Sequence, residues 1–311
     1  MPRGDIRLQI QPALNGIRTD LPKHLIPDGY LSGGENVLCR AGLIIVRGGM
    51  TSLTGTAPTA NRVMGGIFYS DHTQTVRTLI GTRASFHLFT TSWSTITGGT
   101  IPTGGTQDQY RFTIFPLTNT TRVVAVNDVD APQVYNGTGN FADLGGSPPI
   151  AKDCTTAFRR VILGNITVGG TRRSTSIAVS GFQDPTIWST DNFFTLADTG
   201  DPIVAVRNLD DQQFAIYRER SQWVGIGATD IFPFTYEIRD QQPGPVSPGS
   251  VVQAEGPQYY IGMDGDVYRF DGNRCTSGGY PVRRLIQADL DFDNRGTCHG
   301  TYDPINREIW W

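Results

Sequence analysis

The feature that most constrains this sequence is a run of short strand-forming segments joined by tight turns. From Met64 the pattern is regular. Gly66-Ile67-Phe68-Tyr69 reads as a strand, Ser70 to Gln74 as a polar turn, Val76 to Ile80 as a second strand and Gly81-Thr82 as a tight turn. Ser85 to Phe89 gives a third strand and Trp93 to Ile96 a fourth. Four short antiparallel strands with tight turns form one propeller blade, a unit of about 40–50 residues. The 37 glycines and 19 prolines cluster where such turns need positive or fixed φ.

A third-strand signature recurs: a small or acidic turn, strand residues around an aromatic, then another polar turn. It occurs at Ala84–Phe89, at Ala131–Gly137 around Tyr135 and at Asp184–Ser189 around Trp188. It returns at Ser221–Gly225 around Trp223 and at Gly265–Gly272 around Tyr268. The strand before each is Val123–Val126, Ile177–Val179, Phe214–Tyr217 or Tyr259–Gly262, and each pair reads as a hairpin. Irregular spacing separates this array from WD40 and kelch repeats. The expected fold is an all-β, β-propeller-like array of four-stranded antiparallel blades with an irregular N-terminal arm. One strand per blade is expected to be apolar on both faces, with alternating outer strands. Residues 1–63 form the arm and a closing hairpin, Asn36–Arg40 against Leu43–Arg47 across Ala41-Gly42; residues 64–311 form the propeller.

One segment breaks the β pattern. Val282, Leu285, Ile286 and Leu290 stand at helical spacing after Gly278-Gly279 and Pro281, which predicts a short amphipathic helix from Val282 to about Phe292. Gly300 to Trp311 then repeats the opening of the first blade and stops inside a strand on Trp310 and Trp311. Two stranded tryptophans at a sheet edge are an aggregation hazard. The expectation is that the chain continues beyond 311, or that the strand around Leu43–Val46 covers the pair. Leu285, Ile286, Leu290, Trp310 and Trp311 are the candidate subunit interface.

The chemistry-bearing residues point away from catalysis. The four histidines, His24, His72, His87 and His299, belong to no metal or nucleophile motif, and no enzyme, catalytic residue, cofactor or metal is nominated. Asp289, Asp291 and Asp293 resemble a calcium loop, but Asn294 stands where such a loop needs glycine. Cys39, Cys154, Cys275 and Cys298 are far apart, which reads as core packing in a reducing compartment. The start Met-Pro-Arg-Gly-Asp-Ile lacks the apolar core of a signal peptide, and no run of 18 apolar residues predicts a membrane anchor. A net charge of −3 argues against a protein that grips nucleic acid, though not against one that encloses it. The pairs Arg159-Arg160, Arg172-Arg173 and Arg283-Arg284 read as surface. Arg3-Gly4-Asp5 and the sequons at Asn119, Asn136 and Asn165 are short enough to arise by chance.

Several stretches resemble the tail hub or nozzle proteins of short-tailed bacteriophages. These are Asn15-Gly-Ile-Arg-Thr-Asp with Leu31, Glu35-Asn36-Val37, Gly42 and Arg47-Gly48-Gly49, then Gly181–Ser189. The longest runs from Ile203 to Gly272 and includes Gln213–Arg218, Ser221-Gln222-Trp223, Phe234, Gly249–Val252 and Tyr260–Tyr268; Asp303-Pro304 and Arg307–Trp311 close it. The resemblance implies a structural virion protein in the tail, assembled in the host cytoplasm. It implies a homo-oligomeric ring, a hexamer, docked beneath an adaptor or portal-side ring and meeting tail spikes or fibres. That ring completes the head-to-tail channel, retains packaged DNA, contacts it transiently in the lumen and passes it during ejection. The rival expectation is a glycan-binding or glycan-hydrolysing propeller that serves receptor binding. A third is a generic cellular scaffold propeller.

Overall fold

The structure is a computed structural model. It describes residues 17–32, 37–40, 43–46, 58–100, 102–196, 200–228 and 233–311. The first hairpin pairs β1 (Val37–Arg40) with β2 (Leu43–Val46). Five four-stranded antiparallel sheets follow, each made from consecutive strands. Blade 1 holds β3 (Val63–Ser70), β4 (Val76–Thr82), β5 (Phe86–Phe89) and β6 (Trp93–Thr95). Blade 2 holds β7 (Arg111–Leu117), β8 (Thr120–Val126), β9 (Gln133–Tyr135) and β10 (Ala142–Asp143). Blade 3 holds β11 (Ile150–Ala157), β12 (Arg160–Val168), β13 (Thr171–Val179) and β14 (Phe193–Thr195). Blade 4 holds β15 (Ile203–Asn208), β16 (Gln213–Arg218), β17 (Gln222–Gly227) and β18 (Phe234–Asp240). Blade 5 holds β19 (Val252–Gln253), β20 (Gln258–Ile261), β21 (Val267–Phe270) and β22 (Cys275–Ser277). A helix, α1 (Arg283–Asp289), and a two-stranded sheet of β23 (Thr301–Asp303) and β24 (Glu308–Trp310) complete the described chain.

The blades stand side by side as a β-propeller because their middle strands are apolar on both faces. In β8, Val123 and Ala125 pack into a core shared with blade 1, while Val124 and Val126 pack into one shared with blade 3. In β12, Val161 and Leu163 face blade 2 and Ile162 faces blade 4. In β16, Phe214 and Ile216 face blade 3, and Ala215 and Tyr217 face blade 5. The period of two along a strand thus feeds two interfaces at once. The innermost strands β3, β7, β11 and β15 contact one another in that order around the axis.

Most of the expected blade strands fall where the sequence puts them. The third-strand signatures around Tyr135, Trp223 and Tyr268 lie in β9, β17 and β21. Blade 3 is the correction. Ile177–Val179, expected as a second strand, is the end of the third strand β13. Asp184–Ser189 is a turn between β13 and β14. Asp184 Oδ1 accepts from the Thr186 N–H at 2.9 Å and from its hydroxyl at 2.6 Å, and Trp188 Nε1 donates to the Pro185 carbonyl at 2.8 Å. A carboxylate turning the chain locally and a proline without an N–H forbid a ladder there.

The helix is also shorter than expected. A 3-10 turn, Tyr280–Val282, leads into α1, which stops at Asp289 with Leu290 already extended. Asp291 Oδ1 accepts from the backbone N–H groups of Asp293 and Asn294, so its side chain holds a turn where the helix would continue. Among the described residues β1 and β2 pair with each other, and so do β23 and β24. Trp311 turns inward, its Nε1 donating to the Ser250 carbonyl at 2.7 Å. The turn Ala41-Gly42, Arg3-Gly4-Asp5 and the motif residues Asn15-Gly16, Glu35-Asn36 and Arg47–Gly49 lie outside the described residues.

The β11–β12 turn carries two successive side chains in the left-handed region, Phe158 at φ 48° and Arg159 at φ 51°. A two-residue turn of this type suits Asn-Gly, and a bulky residue there is strained. Arg159 is exposed, whereas the Phe158 ring packs against Phe182 and Phe234. Replacing Arg159 by glycine is therefore expected to stabilise the fold by about 0.5–1 kcal/mol in denaturant unfolding.

Candidate functional site

The innermost strands should be plain apolar walls, yet each of three carries a charge to the axis. Arg111 begins β7, Asp153 lies mid-strand in β11 and Arg207 lies near the end of β15. Asp153 is fully buried. Its Oδ2 accepts from the Val206 N–H at 2.8 Å and from Arg207 Nη1, which forms an ion pair with it. Arg207 Nη2 reaches on to the Pro248 carbonyl at the entry to blade 5. One carboxylate therefore ties blade 3 to blade 4, and its partner ties blade 4 to blade 5.

The segment from Asn294 to Gly300 closes over this cluster. Gln107, at the entry to blade 2, donates to Asn294 Oδ1 at 2.5 Å. Arg111 donates to the Gly296 carbonyl at 3.4 Å and to His299 Nδ1 at 3.3 Å. On the other side Ser247 Oγ donates to the Cys298 carbonyl at 2.6 Å, and the Gly300 N–H to the Gly249 carbonyl at 2.8 Å. Gly249 has to be glycine: a Cβ there would sit 2.7 Å from both the Cys298 carbonyl and His299 Nδ1.

Burial sets the protonation states. It lowers Arg111 to about 10, still charged at neutral pH. His299 is exposed as a residue, while its Nδ1 lies 3.3 Å from Arg111 Nη1. Desolvation first, and the guanidiniums of Arg111 and Arg207 second, push its pKa down, so it accepts from Arg111 as a neutral ring. Burial raises the thiols of Cys154 and Cys298, which keeps both protonated.

A second concavity of about 720 Å³ lies at the opposite end of the inner strands. Leu117, Ala157 and Asn208 mark those strand ends, and the strained Phe158-Arg159 turn overhangs them. Phe182 is 43% exposed on its wall. The Phe158 ring stands 5.9 Å away and the Arg160 guanidinium 5.6 Å away. Arg160 corrects the surface reading of the Arg159-Arg160 pair. It is buried, and its Nη1 donates to the Ser180 carbonyl.

The nearest approach to a nucleophile and base is Ser85 Oγ, 2.8 Å from His87 Nε2. The other ring nitrogen faces Thr95 Oγ1 at 3.3 Å rather than a carboxylate, so nothing orients the ring as a base. Asp291 spends its carboxylate on its own turn, and no group of three metal-ligating side chains gathers among the described residues.

The five interface candidates occupy two places on blade 5. α1 docks on the β20–β21 turn, where Arg283 pairs with Asp264 Oδ2 at 3.1 Å and Gln287 donates to the Asp264 carbonyl. Leu285 is 48% exposed there, while Ile286 and Leu290 are half-buried by their own chain. Trp310 is half-buried and Trp311 is 41% exposed beside Pro248–Ser250. Sequence reasoning missed the axial cluster. Its available signal was a charge inside an otherwise apolar inner strand, as in Lys152-Asp153 and Arg207.

No protein-family profile matches the chain, and no curated protein sequence matches it. The chain is similar to several solved structures at low identity. PorZ, a surface component of the type-IX secretion system of Porphyromonas gingivalis, is 9% identical with a TM-score of 0.44 over 70% of this chain. YCF48 from Cyanidioschyzon merolae is 12% identical, with a TM-score of 0.42 over 65% of this chain and 69% of its own. BamB from Moraxella catarrhalis is 11% identical with a TM-score of 0.40 over 70% of this chain. The chain spans 28% of the length of PorZ and 61% of that of BamB.

Asp153 supplies a direct test of the axial network. Asp153→Ala leaves Arg207 without its carboxylate and the Val206 N–H without its acceptor. Because Arg207 is partly exposed, the expected loss is about 2–4 kcal/mol, below or within the range for a broken buried pair, read by urea unfolding.

Proposed function

We propose that this chain is a structural assembly protein whose propeller packs beside further copies of itself in a closed ring. Following the resemblance, that ring is the hub or nozzle of a short-tailed phage tail, which retains packaged DNA and passes it during ejection. The observation that carries the reading is the outer face of blade 1. Phe68, Thr78, Phe89 and Trp93 are directly paired across β3 to β6 and so point to one side. Ile80 and Val76 share that side, one pair away in either direction. Phe68 is 72% exposed and Val76 50%, although blades 2 to 4 have both faces covered.

Leu285, Tyr280 and Phe292 are exposed beyond the other end of the blade series. Two different apolar patches on one subunit suit a head-to-tail contact, which closes into a ring when the rotation closes. In this reading DNA runs through the lumen between subunits, since the Asn294–Gly300 segment spans each propeller's own axis. The net charge of −3 favours sliding over gripping. Light scattering and negative-stain imaging of the purified chain are expected to give a ring with a central pore. Phe68→Asp with Leu285→Asp is expected to leave monomers, since each buried apolar side chain contributes roughly 1.5–3 kcal/mol. A wild-type monomer at tens of micromolar would overturn the reading.

A second reading rests on the 720 Å³ groove. An exposed Phe182 ring beside Asn208, Asp211 and Gln183 offers an aromatic platform with polar neighbours, the chemistry that holds a sugar ring. Binding to host-surface glycans, lost in Phe182→Ala with the ring assembly intact, is the outcome that would favour it.

A further inference from the structure

We propose that the cavity at the mouth of the propeller axis is a binding site for a phosphate group. The inference stands apart from the ring reading and rests on charge. The cavity, about 320 Å³, is walled by Arg111, Lys152 and Arg295 together with Asp108, Asp128 and Asp293. The acids are not equivalent to the bases. Asp128 is ion-paired with Arg172, and Asp108 Oδ2 accepts from the Gly105 N–H. Asp108 and Asp293 have no cationic partner among the described residues, and Asp293 is exposed. Among the described residues, no carboxylate is in ion-pair contact with the three cations. Arg111 is 5% exposed and its partners are the neutral His299 ring and a carbonyl. Lys152 is half-buried, and desolvation lowers its pKa although the nearby carboxylate of Asp128, and more weakly those of Asp153 and Glu219, oppose the fall.

Deeper in, Asp153 is committed through Oδ2 to Arg207, so one buried carboxylate serves the axis against the guanidiniums of Arg111 and Arg207. A buried excess of positive charge costs free energy unless an anion offsets it. The donors left over choose the anion. Gln107, Gln109 and Ser247 donate to Asn294, Thr106 and Cys298. Arg111 is engaged by His299 and the Gly296 carbonyl, so the one fork open to a planar carboxylate is that of the exposed Arg295. What remains is the Lys152 ammonium and the Arg295 guanidinium on the wall, with Arg111 behind them. Separate cationic donors around a small cavity suit the dispersed oxygens of a phosphate.

The test is calorimetric titration of the intact chain with sodium phosphate, and separately with adenosine monophosphate, each against sodium chloride of equal ionic strength. Saturable one-to-one binding of phosphate is expected, weakened about 10-fold or more by Lys152→Gln. Equal affinity for the two probes identifies the free ion as the ligand, and tighter binding of the monophosphate identifies an ester. Arg295→Gln, at an exposed position, carries the same expectation should Lys152→Gln unfold. No saturable heat up to about 10 mM phosphate overturns the proposal, since so weak a contact is below specific recognition. Unchanged affinity in a folded Lys152→Gln variant overturns it equally.

Discussion

The contact on which the molecule depends is between the faces of neighbouring sheets. Val124 and Val126 press on blade 3 while Val123 and Ala125, one residue out of step, press on blade 1. A strand apolar on both sides must be covered twice, and a sheet flanked by two other sheets does this without helices. The same arrangement raises a problem of register. Where one face is polar, a one-residue slip moves the apolar set into water and is rejected; where both are apolar, the slip is only weakly opposed. The axial charges supply the missing specification. Asp153 meets the Val206 N–H and Arg207 in only one alignment of β11 against β15, and Arg207 meets Pro248 in only one alignment with blade 5.

That division of labour explains what could be read from the chain. Strand and turn alternation in blade 1 was legible because it is local: Gly66–Tyr69, Val76–Ile80 and Ser85–Phe89 became β3, β4 and β5 with small changes at their ends. Blade 3 was misread because Ile187-Trp188 looks like a strand centre, while the decisive Asp184–Thr186 hydrogen bonds are a matter of side-chain geometry. The helix overran for the same reason, since Asp291 ends it through its own turn. The axial cluster was invisible because Arg111, Asp153, Arg207 and His299 are brought together only by the stagger of separate blades. No spacing rule along one strand encodes that.

The outer blades meet a different constraint from the inner ones. Blade 1 carries Phe68, Ile80, Phe89 and Trp93 on a side that no other blade covers to the extent seen between blades 1 and 5. The residues are those an interior face would use, aromatic and β-branched at cross-strand positions. A soluble edge would instead carry lysine, proline or a bulge at such places. The composition of this face is therefore that of a packed surface. The proposed neighbouring subunit would cover it in the same physical way.

The axial mouth and the overall charge act over different ranges. A net charge of −3 sets the distant field, which solvent ions screen over about 8 Å at physiological ionic strength. Lys152, Arg295 and the buried Arg111 act within one cavity, where desolvation strengthens each interaction. A duplex is too wide to enter a space of about 320 Å³, so its phosphates meet the weakly acidic exterior. A single phosphate group can enter and meet the cations. On the phosphate proposal, exclusion by size would let one chain turn away a polymer of phosphates and hold the monomeric group, without any change in its total charge.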